Sequence, residues 1–269
     1  MKPLVSEIRR YLRLWRLLLR LSLSEMLMFR INGLLFGLAP IVWAATVLIF
    51  LGVIFSKVKT LGGWSLWETV FLLGVSETVF VVYWASFLIN LRNFINEVRT
   101  GRFDQSLLKP INSRFLVSFR TLDFTLLGSF INSLAIFVVS LAKVSDQIHF
   151  SRLPGFLFLL AAAYAICYLF HFIFASLAFW VVNARPFLDW IFEIADFGHY
   201  PAGIYPPSLR MFFTFFIPIL FFGYFPTAFL LGRLDNLYLG IAILLILALS
   251  IISRLVWRAG LQRYQSASS

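Results

Sequence analysis

Apolar residues occur in long blocks along this chain, and the blocks come before any motif in the reading. Six apolar spans can be drawn, at 31–55, 64–91, 116–142, 153–182, 209–231 and 237–257. Each is long enough to cross a hydrocarbon core of roughly 30 Å at about 1.5 Å of helical rise per residue. Residues 1–30 have a different pattern. Arg9, Arg13, Arg16 and Arg20 recur at helical spacing on one face, with Leu4, Ile8, Tyr11, Trp15 and Leu18 beside them. That predicts an amphipathic helix lying in the headgroup plane; a basic flank with no fixed geometry is the alternative. The stretch 183–208 is mixed. Asp189, Glu193 and Asp196 share one helical face, opposite Phe187, Trp190, Ile191 and Ile194, and Gly198 and Pro201 end the pattern. It predicts a second amphipathic segment on the cytoplasmic side, whose acidic stripe either faces water or pairs with the N-terminal arginines.

The longest polar interval is 92–120. It carries Arg92, Arg99, Arg102, Lys109, Arg114 and Arg120. Gly101 marks a helix stop, Asp104 is the predicted N-cap of a short helix over 105–109, and Pro110 ends it. Phe103, Leu107 and Leu108 are its apolar positions.

Composition sharpens this picture. The chain has 269 residues, 61% hydrophobic, 18% aromatic and 13% charged. A water-soluble domain carries about 25% charged residues, so that class is excluded. The net charge of +11 would suit nucleic acid, but its distribution follows membrane topology. With the N-terminus in the cytoplasm, eighteen Lys and Arg residues fall on the cytoplasmic side. Five fall opposite: Lys57, Lys59, Lys143, Arg152 and Arg233. The predicted fold is therefore an all-α polytopic membrane protein with six transmembrane helices, both ends inside, and an N-terminal amphipathic interfacial helix. It forms one transmembrane domain over 1–269: the helix 1–30, a six-helix region 31–257 with the cytoplasmic loop 92–120, and a cytoplasmic tail 258–269 ending in a short polar stretch at 265–269. No cleavable signal is evident in the first 30 residues. Cys167 is the single cysteine, so no intramolecular disulfide is possible.

Candidate chemistry is sparse. Glu77 lies mid-way along the second span, between Ser76 and Thr78. An ionised carboxylate at that depth costs a few kcal/mol, so it must face protein or water. It reads either as a lining residue of a translocation path or proton site, or as a helix-packing group. Asp123 is expected to pair locally with Arg120, and His171 to be a packed residue with one hydrogen bond. Gly128, Ser129, Asn132 and Ser133 give the third span the small, polar face of a close helix contact. Pro218 and Pro226 break the fifth span, with Thr214 placed to satisfy a freed carbonyl; they read as a kink or as a hinge or re-entrant segment at an outer gate. No phosphate loop, H-E-x-x-H or G-x-S-x-G is present. Of the three histidines, His149, His171 and His199, two lie outside the predicted spans, and His171 has no companion at metal-site spacing. No catalytic residue and no metal site is expected, and the chain is not expected to be an enzyme.

Three stretches carry a resemblance: GWSLWE at 63–68, VRTGRFDQSLLKPI at 98–111 and HYPAGIYPPSLR at 199–210. With the amphipathic N-terminus and six spans, the chain resembles ABC-2-type permeases of bacterial ATP-binding-cassette exporters, in the subgroup of uncharacterised transport systems. The resemblance covers nearly the whole chain. It implies a multi-pass inner-membrane subunit that binds no cofactor itself, with ATP and Mg held by separate ATPase subunits. A second permease chain, identical or a sister, would complete the path among membrane lipids, with no nucleic-acid partner. It implies that Gly101, Arg102, Phe103, Asp104, Leu107, Leu108, Lys109 and Pro110 form the ATPase-coupling helix, and that Glu77, Pro218 and Pro226 belong to the path or its gate. The alternative is an ion-coupled secondary transporter using the intramembrane carboxylate Glu77. The substrate is not legible.

Overall fold

The longest helix begins at a reciprocal cap. The Ser65 hydroxyl accepts the Glu68 amide at 3.4 Å, and the Glu68 carboxylate accepts the Ser65 amide at 2.7 Å. The computed structural model describes residues 2–28 and 32–264. In it, α3 (Leu66–Tyr83) runs through a π-helical turn (Trp84–Leu88) into α4 (Ile89–Arg99). The result is one rod of 34 residues, about 50 Å long. Its apolar residues point in every direction, so it takes the centre of the bundle: Phe71, Leu72, Leu73 and Val75 are at most 1% exposed.

Around the rod stand α2 (Asn32–Phe55), α7 (Leu127–Lys143), α8 (Leu153–Ser176, extended by a 3-10 turn Leu177–Phe179) and α12 (Leu237–Arg263). α2 and α12 turn most of their surface outward. Five helical stretches among the described residues are long and apolar enough to cross a membrane: Leu38–Phe55, Leu66–Arg99, Ser113–Lys143, Phe150–Phe179 and Leu237–Arg263. The protein is a multi-pass membrane protein, about 81% helical, with no strand among the described residues. At Gly74 the backbones of α3 and α7 touch; a Cβ there would lie 2.7 Å from the Phe137 nitrogen. The Asn132 side chain donates to the Pro40 carbonyl at 3.2 Å, so the small, polar face of the third span does serve helix packing.

The third stretch is not straight. α6 (Ser113–Phe119) and α7 are parted at 120–123. Asn90 satisfies the interrupted backbone: its side chain accepts the Thr121 amide at 2.9 Å and donates to the Thr121 carbonyl at 2.7 Å. The Asp123 amide donates to the Ala85 carbonyl at 2.8 Å.

The predicted fifth span, 209–231, is not one helix. It consists of α10 (Pro207–Phe215), a 3-10 turn (Ile219–Phe221) and α11 (Tyr224–Leu230). Proline 218 offers no backbone donor, which ends α10. Gly223 then rests directly on Ser76; a Cβ there would lie 1.7 Å from the Ser76 Oγ. Ser76 is ten residues into the rod, roughly 15 Å from its start. α11 returns to the same end, where the Leu230 carbonyl accepts the His149 amide at 3.3 Å. The prolines thus belong to a helical hairpin that dips into the bundle and comes back.

The stretch 183–208 does not stay at one end of the bundle, as expected from its amphipathic pattern. α9 (Arg185–Ile194) and two 3-10 turns, Ala195–His199 and Ala202–Ile204, climb the side of the rod. Asp189 pairs with Arg92 at 2.7 Å, His199 meets Glu77 at 2.8 Å, and Gly203 packs on the backbone of Gly62. Of the acidic stripe, Asp189 therefore pairs with the rod and with Arg185, and Asp196 faces His199; among the described residues none of the stripe pairs with an N-terminal arginine. Arg210, counted with the cytoplasmic charges, donates to the Tyr205 carbonyl at 3.3 Å. It belongs with Gly62 and Arg233 at the opposite end.

The N-terminal helix α1 (Lys2–Met28) lies along the 110–122 segment. Its Arg10 donates to the Pro110 carbonyl at 2.7 Å, and the Ser22 hydroxyl accepts the Leu122 amide at 3.1 Å. Arg13, Arg16 and Arg20 are exposed; the side chains of Leu4, Ile8 and Arg9, and the tail 265–269, lie outside the described residues. The far end of α12 packs at this same end of the bundle, through Trp257 against Phe94 at 5.3 Å.

Candidate functional site

The rod ends where its backbone leaves the helical region. Gly101 takes φ +73°, a left-handed stop that costs a side-chain-bearing residue about 1–2 kcal/mol. The Thr100 hydroxyl closes the last turn on the Asn96 carbonyl at 2.8 Å. A five-residue helix follows, α5 (Phe103–Leu107). Its cap position is Arg102, with no side-chain cap bond, so Asp104 is not the N-cap. The carboxylate sits inside the first turn, where it still favours the helix dipole. It also lies beside Tyr264, whose hydroxyl is pushed up to about 12 by burial first and then by that carboxylate.

Phe103, expected as an apolar anchor for a partner, faces inward and is 0% exposed. Its ring packs against Phe94 at 5.3 Å, Tyr264 at 5.4 Å, Phe179 at 5.7 Å and Trp257 at 6.1 Å. Those four partners belong to α4, the end of α8 and the end of α12 and its exit. An aromatic side chain of that size is the natural wedge for an edge-to-face cluster. On the outer side of α5 the apolar residues on offer are Leu107, 41% exposed, and Leu108, 85% exposed. Arg102, Lys109 and Pro110 are exposed around them. Two further ties hold α5: the Ser106 hydroxyl donates to Glu97 at 3.3 Å, and Glu97 pairs with Arg120. Arg120 is therefore not the partner of Asp123, which caps the 3-10 turn Phe124–Leu126 by accepting the Thr125 amide at 3.0 Å.

The second locus is Glu77. Its carboxylate accepts from the His199 Nε2 at 2.8 Å, and the His199 Nδ1 faces Asp196 at 3.7 Å. The imidazole is buried, with the rings of Phe80 and Trp43 set edge-on at 6.0 and 6.2 Å. A carboxylate deep in the bundle thus has the protein partner its position demands. The Ser76 hydroxyl adds a 3.4 Å bond to the Gly198 carbonyl. This cluster ties the climbing segment to the rod. His199 was present in the sequence without a role; the signal that finds it is the demand of Glu77 for a donor. His171 is buried, with one hydrogen bond to the Cys167 carbonyl at 2.8 Å.

Pro218 heads the buried turn of the hairpin. Pro226 stands in the first turn of α11, where its missing donor costs nothing, so it starts a helix and does not kink one. Thr214 donates to the Arg210 carbonyl at 2.8 Å, one turn before any group freed by Pro218. At the rod's other end, Glu68 joins its cap to an ion pair with Arg233, a contact unmarked in the apolar pattern. Among the described residues no three His, Cys, Asp or Glu side chains gather as a metal site.

A family model described as ABC-2 family transporter protein matches residues 41–268. No curated protein and no solved structure matches the chain.

Proposed function

The chain belongs to the ABC-2 family of transporter proteins, and on that premise we propose that it is the permease subunit of an ATP-driven exporter, coupled to a separate ATPase through α5. The observation that carries this is the two-sided construction of α5. Leu107 and Leu108 face outward among Arg102 and Lys109, while Phe103 is locked inside the aromatic cluster. A partner groove that grips the outer side would move Phe103, and Phe103 touches the ends of three long helices at once. Exposed apolar anchors on a short helix are a recurrent basis for seating in a hydrophobic groove. ATP and Mg would reside in the ATPase, and two permease chains would form the path. The membrane would be the bacterial inner membrane, with the α5 end in the cytoplasm, where the basic residues of α1 and 92–120 gather.

In the same reading, the climbing segment 185–204 is the remaining crossing, and the hairpin 207–231 dips in from the outer face. Five helices plus that climb make six crossings with both ends inside. The Glu77–His199 pair holds the climb against the rod, so it governs how the path opens and does not serve as a carrier's proton site.

The test is co-purification from the native host's membranes, with ATP hydrolysis in the eluate as readout. Leu107→Ala combined with Leu108→Ala should leave membrane insertion intact and lose the ATPase. Full ATPase recovery with the double variant would overturn the coupling assignment.

A further inference from the structure

Two cavities lie on the flank of the rod facing away from His199. The larger, about 370 Å³, lies between α3, α7 and α8, with Val79, Val82, Phe137 and Leu160 among its walls. The smaller, about 100 Å³, lies beneath α1, walled by Trp15, Leu19 and Leu122. Tyr164 lines both, and its hydroxyl bonds to that of Ser86, which lines the smaller one.

The chain's own irregularities create this space. Ser86 sits in the π-helical turn Trp84–Leu88, a type of bulge that recurs at functional sites. The break at 120–123, held by Asn90, parts α6 from α7. Both irregularities border the smaller cavity, through Ser86 and through Thr121 and Leu122.

Depth identifies the chemistry that fits. Val75 to Val82 lie nine to sixteen residues from the start of the rod, roughly 14–24 Å along it, in its half nearer Ser65, and Ser86 beneath α1 follows one turn on. A dry apolar groove at that depth is filled by hydrocarbon, since water finds no partners there. The larger cavity's polar side chains are Thr78, whose hydroxyl donates to the Gly74 carbonyl at 2.7 Å, and Tyr164; Ser86 and Thr121 line the smaller cavity beneath α1. Beside that mouth, Arg16 and Arg20 are exposed next to Trp15 and Leu19 on α1. An apolar slot, a hydroxyl-lined neck and a cationic rim match one amphiphile with an anionic head.

We propose that this groove is a specific site for an anionic phospholipid of the cytoplasmic leaflet, one acyl chain lying between α3, α7 and α8 and the phosphate resting on the arginine face of α1. A lipid so placed joins α1 to the rod at the π-helical turn. The site needs no ATPase, so its test is separate from that of the coupling helix.

The full-length chain is reconstituted in nanodiscs of phosphatidylglycerol and phosphatidylcholine carrying a photoactivatable acyl chain. Cross-linked peptides are expected to concentrate on those containing Leu134, Phe137 and Leu160; labelling spread evenly over α2 and α12 would overturn the proposal. Native mass spectrometry of detergent-extracted chain is expected to show one retained phosphatidylglycerol. Ala161→Phe, which fills the groove, should lower that retention at least tenfold. Arg16→Gln with Arg20→Gln should abolish the preference over phosphatidylcholine while a neutral lipid is still retained. Undiminished retention in Ala161→Phe, or an unchanged preference in the arginine variant, would each count against the site.

Discussion

The chain breaks its helices in two prominent places, at Gly101 and at Pro218, and the outcomes are opposite. After Gly101 the turn leaves the bundle and offers its tip: Leu108 is 85% exposed. After Pro218 the turn stays inside: Ile219, Leu220 and Phe221 are at most 1% exposed. Both breaks start from a residue that cannot continue a helix. The difference lies in what surrounds the freed backbone. At Gly101 the flanking residues Thr100 and Arg102 are polar and exposed, and the Thr100 hydroxyl donates to the Asn96 carbonyl at 2.8 Å. At Pro218 the neighbours are aromatic, and the backbone must find partners within the hairpin, as the Phe222 amide does on the Ile219 carbonyl at 3.0 Å. An exposed tip is available to another molecule, whereas a buried one positions its own chain.

The largest test of this contrast is Phe103→Ala. It empties the anchor of the exposed break and should cost about 3–5 kcal/mol, as for other fully buried aromatics. Denaturant unfolding in detergent measures it, and a loss below about 1 kcal/mol would mean that α5 is not held by its cluster. Gly223→Ala attacks the buried break by forcing a methyl into Ser76, for about 1–3 kcal/mol. Adding Ser76→Gly should recover part of that loss. Gly101→Ala should cost about 1–2 kcal/mol through backbone strain alone, and no second-site change should rescue it. Glu77→Gln and His199→Gln should be non-additive, with a coupling of about 0.5–3 kcal/mol in a double-mutant cycle. Strict additivity would show that the pair does not hold the climb.

The smallest effect is a pH dependence at the exposed break. The Tyr264 hydroxyl is raised to about 12 in the folded chain from about 10 unfolded. Its neutral form is the favoured one, so its contribution is complete below about pH 10. It is lost as pH rises through about 12. A Tyr264→Phe chain should therefore lose less stability than the parent between those values, as measured by parallel unfolding curves. Equal losses would show that the Tyr264 hydroxyl is not raised in the folded chain.

How much of this was legible follows from the physics of each feature. The segment 101–110 could be read because Gly101 and Pro110 act on their own backbones, whatever packs nearby. Which way Phe103 points could not, because a five-residue helix has no periodic face long enough to assign. The fifth span misled for a related reason. Residues 209–231 are apolar enough to span, yet a hydropathy pattern does not record that Gly223 must lie against Ser76. Residues 185–204 read as an amphipathic segment at one end of the bundle because Asp189, Glu193 and Asp196 share one helical face, a pattern that does not record Arg92 as the partner of Asp189.

Local transfer energies and backbone chemistry, which each residue carries with it, were enough to establish a multi-pass helical membrane protein. They also set its basic end and the helix stop at Gly101. The route of the chain between α8 and α12 was decided only by tertiary structure. Arg92 on Asp189, His199 on Glu77 and Gly203 on Gly62 join residues about a hundred or more positions apart. Charge neutralisation and backbone contact at that separation exist only once the rod is in place, so no pattern along the sequence holds them.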